Sequence, residues 1–271
     1  MGKSPHGRML GAQCAVPDMR DFDDTTLWRI SAYERIREAT GTSGFARLDG
    51  VPTMLPSTLL ADLQTPEGLP RSGDVVEVMA ACLRHREAAL LYLRHEGLVW
   101  PITLFPAREL YHAPRDLVGA GGTDLADLAV LAFEPPGLQP PGHWKHERIG
   151  HAEHYRPLEH LFWTVALKGP RAELLTEIDG PVAYRALRNA ERATLLAPGA
   201  MGSAHDRLHR DAASLRDIAG WPGMSLERAS RLLNALYLTT RLMVVRTHHA
   251  AARAQAEPRR GLAGLWKPPR G

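Results

Sequence analysis

The sequence predicts an α+β protein: an N-terminal mixed α/β domain with an antiparallel hairpin, followed by a mostly helical, winged-helix-like domain. Three observations predict it. Two apolar arms, Ala88–Arg94 and Leu98–Phe105, flank the turn His95-Glu96-Gly97. Two stretches with helical spacing, starting at Ser214 and Ser225, flank the break Trp221-Pro222-Gly223 and lead into a short strand, Arg241–Val245. Between these halves, Glu134-Pro135-Pro136 and Pro140-Pro141 interrupt every periodic pattern.

The first 24 residues mix Gly, Pro and charge without periodicity and are expected to form a disordered arm. The α+β domain is placed at 25–134. Asp24 is positioned to cap a helix over Thr25–Ala39, with Leu27, Ile30, Tyr33 and Ile36 on one side. A strand is expected at Phe45–Val51 and a short helix at Leu55–Leu63. Helical spacing returns over Asp74–His85, where Val75, Val76, Met79, Cys82 and Leu83 share a stripe. In the second hairpin arm, Pro101 predicts an edge position or a bulge, because proline cannot donate to a ladder. A short strand Glu109–His112 and an apolar segment Leu125–Phe133 complete the domain.

Residues 135–155 read as a Pro/Gly/His-rich linker, and 156–250 as the second domain. A helix over Arg156–Leu167 buries Leu158, Leu161, Phe162, Val165 and Ala166. Gly169 is placed at C′ and Pro170 prevents continuation. A helix at Arg171–Ile178 and a strand through Val182, Tyr184 and Ala186 follow. Ser214 is placed to cap a short helix, with Asp217 completing a reciprocal box. Ser225 caps the next helix, in which Ala229, Leu232, Leu233 and Leu236 fall at i, i+3, i+4 and i+7. The tail, 251–271, is Pro-, Gly- and Arg-rich and expected to be mobile, with Trp266 folding back onto the body or, as the alternative, belonging to a docking peptide.

Composition narrows the function classes. A formal net charge of +3 over 271 residues exerts no strong pull toward nucleic acid or membrane. Lysine occurs only at 3, 145, 168 and 267, so the basic character is almost all arginine, as codon bias in a GC-rich bacterial genome would give. Two cysteines, Cys14 and Cys82, make no disulfide framework and fit a reducing cytoplasm. No apolar run reaches the roughly 20 residues of a membrane span. There is no Walker A sequence, no G-x-S-x-G elbow and no dinucleotide fingerprint, so no cofactor is expected and no enzyme class is indicated.

DVVEVMAACL (Asp74–Leu83), ALLYLRHEG (Ala89–Gly97) and ELYHA (Glu109–Ala113) occur in the order helix, strand, strand. With the hairpin between them they resemble the PATAN-type module of bacterial response regulators and of gliding or pilus signalling proteins. Where that pattern has a glycine before its last strand, this chain has Arg108-Glu109. The resemblance implies a protein-interaction role in signalling, a C-terminal winged-helix-like segment, and no catalytic residues to carry over.

Two clusters are candidate sites. On the helix after Ser225, the face opposite the leucines carries Glu227, Ser230, Arg231 and Asn234, with Arg228 at its edge and Arg241 following. Arginine and asparagine carry donors that read guanine and adenine edges, so a transcription regulator is the alternative to a protein-binding adaptor. Between Pro141 and Leu161 lie His143, His146, His151, His154 and His160, the first four as two pairs with two residues between partners. Converging imidazoles would hold zinc and support a metal-dependent enzyme. The leading expectation is a non-catalytic, cytoplasmic bacterial regulatory protein that binds another protein.

Overall fold

The computed structural model describes residues 27–40, 54–63, 73–120, 124–187, 195 and 197–246. The expected cap at Asp24, strand at Phe45–Val51, N-terminal arm and C-terminal tail lie outside them. Among the described residues the fold is α+β, an antiparallel sheet with helices packed on it. No described helix is long and apolar enough to cross a membrane.

The sheet is built on a hairpin. β2 (Ala89–His95) pairs with β3 (Leu98–Phe105) from Ala89↔Leu104 to His95↔Leu98, and Glu96 and Gly97, both with positive φ, make the turn. β5 (Ala129–Glu134) lies on the free side of β2. β4 (Leu110–His112) pairs with β3 and then with β6 (Tyr155–Pro157), while the short β1 (Trp28–Arg29) pairs with β3 at Leu98 and Val99. Pro101 falls between the stretches of β3 that meet β1 and β4, where its missing donor leaves no described strand unpaired.

Strand alternation sorts the side chains onto two faces. Leu91, Leu93, Trp100, Ile102 and Leu104 face the main core, and Leu90, Tyr92 and Val99 face the other side. There α1 (Ile30–Thr40) brings Tyr33 to 5.3 Å from Tyr92, ring centroid to centroid.

The main core is one body from Leu55 to Leu238, so the two sequence halves share it. Three helices dominate it: α3 (Val75–His85), α5 (Leu158–Lys168) and α8 (Leu226–Leu238). α2 (Ser57–Leu63) packs on α3, and α4 (Leu117–Ala120) on α5. Asp74 caps α3 by accepting the Val76 amide at 2.8 Å. α5 ends at Gly169, which is extended (φ −71°, ψ −179°) rather than left-handed. Glycine is required there for another reason: a Cβ would collide with the Val165 carbonyl oxygen.

The expected helix at Arg171–Ile178 does not form. Only a 3-10 turn occurs, at Thr176–Ile178, because Leu174 and Leu175 turn into the core and Arg171 binds Asp74 and Glu77 on α3. β7 (Ala183–Ala186) follows, then α6 (Ala200–Leu208), which the sequence reading did not anticipate. α7 (Leu215–Ala219) starts with the expected Ser214/Asp217 capping box, and Ser225 caps α8. β8 (Leu242–Val245) closes the unit by pairing antiparallel with β7.

The segment 135–155, read from sequence as a linker, is ordered against the sheet. The Gln139 amide donates to the Arg148 carbonyl at 2.8 Å, and the chain continues into edge strand β6.

Candidate functional site

The helix expected to present a recognition face is α8. Its apolar stripe behaves as expected: Ala229, Leu232, Leu233 and Leu236 are fully buried, and each leucine contributes about 2 kcal/mol of burial free energy. Most of the opposite face, however, is covered too. α8 packs along α5 and also touches α7, α3 and α6.

The polar residues on α8 are therefore used inside the fold. Asn234 is buried; its side-chain oxygen accepts the Leu175 amide at 3.0 Å and its nitrogen donates to the Glu173 carbonyl at 2.9 Å. Arg231 donates to the Leu167 and Gly169 carbonyls at 3.1 and 2.6 Å, closing the C-terminal end of α5. Ser230 is buried. Arg241 is buried and pairs with Glu159 on α5 at 3.0 Å. Glu227 and Arg228 remain exposed; Glu227 pairs with Arg231 at 3.0 Å and Arg228 donates to the Gly223 carbonyl. The expectation that this face reads base edges is corrected: Ser230, Asn234 and Arg241 are buried and Arg231 is committed to backbone carbonyls, so none is offered to a groove.

The histidines spread along the ordered segment. His146, His151 and His160 are exposed, His143 is half-buried and His154 is buried. The His151 and His154 rings lie 5.8 Å apart, and His112 from β4 packs 5.6 Å from His154. Burial, and then the neighbouring His154, Arg156 and His151, push the His112 pKa down to about 4. Among the described residues, no three His, Cys, Asp or Glu side chains are placed to hold a metal ion.

The same segment presents a residue that sequence reasoning passed over. Trp144 is 75 % exposed, the most exposed of the large apolar side chains described. The Lys145 ammonium sits 4.6 Å over its ring, and the His143 ring stacks at 5.7 Å. The loop beneath is fastened at both ends. Tyr155 donates its hydroxyl to the Gln139 carbonyl at 2.6 Å and accepts the Gly150 amide at 2.9 Å. A signal was present in the sequence: a tryptophan amid Pro, Gly and His, where no apolar periodicity calls for it.

A second feature missed from sequence is a groove of about 400 Å³ between α2, α3 and the turn at Thr176–Ile178. Leu63, Val78 and Ala81 line it, with Asp62, Glu77 and Glu177 around them. Arg84 bridges Glu177 at 2.6 Å and Asp62 at 2.8 Å. The hydrogen bonds from Arg84 and His85 hold the Asp62 carboxyl below the usual carboxylate range. These acids come from three separate segments, so no local spacing announced them.

Cys82 is fully buried on α3, and burial pushes its thiol up to about 12, which makes it an inert core residue. No family model matches the chain, and neither a curated protein nor a solved structure was found to be similar to it.

Proposed function

We propose that this protein is a regulatory adaptor in signalling that binds another protein through the loop carrying Trp144. The observation that carries the reading is the exposure of Trp144 on a hydrogen-bonded loop. Water-facing tryptophan is a cost that a partner removes. Covering it would stabilise a complex by about 3 kcal/mol before association costs, the scale of a binding hot spot. The fastened loop leaves little conformational entropy to lose on docking. Lys145, whose ammonium lies over the ring, favours a partner with an apolar pocket that carries a carboxylate.

The resemblance to PATAN-type signalling modules supports the same reading. Arg108-Glu109 stand where that pattern has a glycine, a departure from it.

The test is capture from a cell extract with the full chain and with Trp144→Ala. A specific protein retained by the first and lost from the second is expected; equal retention on both contradicts the assignment.

A winged-helix DNA-binding regulator is the second reading. Its support is the pairing of β8 with β7 after the α7–turn–α8 unit, with exposed Arg185 and Arg246 on and beside this two-stranded sheet and exposed Arg210 after α6. With α8 enclosed, those arginines would carry phosphate contacts from the strands. Retardation of genomic DNA that falls steeply with salt and weakens in Arg185→Ala/Arg246→Ala supports it. No retardation at low salt ends it.

A further inference from the structure

The groove between α2, α3 and the Thr176–Ile178 turn has an apolar floor and an acidic rim. Four carboxylates, Asp62, Asp74, Glu77 and Glu177, meet two guanidiniums, Arg84 and Arg171. Four against two leaves two negative charges, which His85 offsets only when protonated. Asp62 stays ionised because Arg84 and His85 hydrogen-bond to it. Glu177 holds one guanidinium, and Asp62 one guanidinium and one imidazole; a carboxylate offers about four lone-pair positions, so these two can accept a further donor.

The chain itself supplies a matching segment. Residues 247–271 carry Arg253, Arg259, Arg260, Lys267 and Arg270 against a single acid, Glu257, together with Leu262, Leu265 and Trp266. These residues lie beyond the last described position, Arg246. The point of departure is close to the groove. Val244 pairs with Tyr184, and the Tyr184 hydroxyl donates to the Ile178 carbonyl at 2.7 Å. One side chain thus separates β8 from the turn that forms a wall of the groove. Seven residues of extended chain, from Arg246 to Arg253, span about 24 Å.

We propose that the acidic groove is the seat of this protein's own basic C-terminal segment, residues 247–271, with its arginines on the rim and an apolar side chain on the floor. Opposite charge and the exit point of β8 select this occupant. Tethering keeps its effective concentration high, so weak ion pairs suffice to hold it. A seated tail would compete with any basic partner peptide for the groove, and salt would release it.

Lysine is scarce enough to make the test readable, since Lys267 is the one lysine after Lys168. The full chain is treated with a zero-length carbodiimide, and amine–carboxylate links are mapped by mass spectrometry. Expected is coupling of Lys267 to Asp62, Glu77 or Glu177 within one chain, reduced at least about fivefold in 1 M salt, where screening is short-ranged, and likewise in Arg259→Glu/Arg260→Glu. Hydrogen exchange is measured alongside: amides of α2 and of Thr176–Ile178 are expected to exchange more slowly in the parent chain than in that variant. Links spread over unrelated carboxylates, links to none of the three, links only in cross-linked dimers, or identical exchange in both chains would each overturn the proposal. Links and exchange are compared at a temperature where circular dichroism shows both chains folded, so misfolding does not confuse the outcome.

Discussion

The Asn234 side-chain oxygen accepts the Leu175 amide at 3.0 Å, an interaction across two segments 59 residues apart. It replaces a backbone partner. Leu175 lies just before a 3-10 turn, in an irregular stretch crossing α8, where no strand or helix would take its donor. The same amide group also serves the Glu173 carbonyl. A residue placed by its helical phase on an outward face is thus the polar pin of the α8 contact.

Replacing Asn234 with alanine leaves a buried amide unpaired. We expect a loss of about 2 kcal/mol, read as a lower urea midpoint with unchanged m value. Asn234→Asp keeps the acceptor but buries a charge, so it should lose at least as much. Wild-type stability in Asn234→Ala would show that water replaces the side chain.

The two ion pairs of α8 and its C-terminal extension should differ sharply. Arg241 and Glu159 are 8 % and 17 % exposed, so Arg241→Ala strands a buried carboxylate and should cost about 3 kcal/mol. Removing both charges in Arg241→Met/Glu159→Leu should recover most of that loss. Glu227 in the other pair is 56 % exposed, and Glu227→Ala should cost less than about 0.5 kcal/mol. Chemical denaturation of the four chains checks the order.

How far the sequence could be read follows from the range of each interaction. Local signals held: the His95-Glu96-Gly97 turn, the Ser214/Asp217 box, the Ser225 cap and the stripes of α3, α5 and α8 all appear where residue spacing placed them. The signals that failed depend on distant partners. The helix expected at Arg171–Ile178 does not form because Arg171 and Leu175 bind elsewhere. The polar face of α8 looked like a solvent face because α5 and the 167–175 segment, which cover it, are about 60 residues away. The groove acids come from three segments and share no spacing.

Acid should destabilise this fold through two histidines. Burial lowers both the His112 and the His205 pKa to about 4, from an ordinary 6.5. Between those values the unfolded chain binds more protons than the native one, so stability rises with pH there. It is fully present above about 6.5, falls as pH drops toward 4, and that loss levels off below 4. Thermal unfolding from pH 7 to pH 4 measures it, and His112→Phe should flatten the slope. A slope unchanged in that variant would remove His112 from the account.

Gly150 sits against His112 so closely that a Cβ there would stand 2.7 Å from Nε2. Gly150→Ala should push the ring toward His154 and Tyr155 and cost about 1–3 kcal/mol by overpacking. Loosening of the loop should follow, seen as faster hydrogen exchange over 139–150. An unchanged midpoint and exchange pattern would mean that the imidazole has room to turn aside.

The most direct measurement compares the affinity of a captured protein partner for the parent chain, Trp144→Ala and Arg231→Ala, at a temperature where circular dichroism shows all three folded. A loss of at least about 2 kcal/mol, some thirtyfold, is expected for Trp144→Ala. For Arg231→Ala the affinity should be unchanged and the unfolding midpoint lower. Full affinity in Trp144→Ala together with lost binding in Arg231→Ala would contradict the role of Trp144 and return recognition to α8.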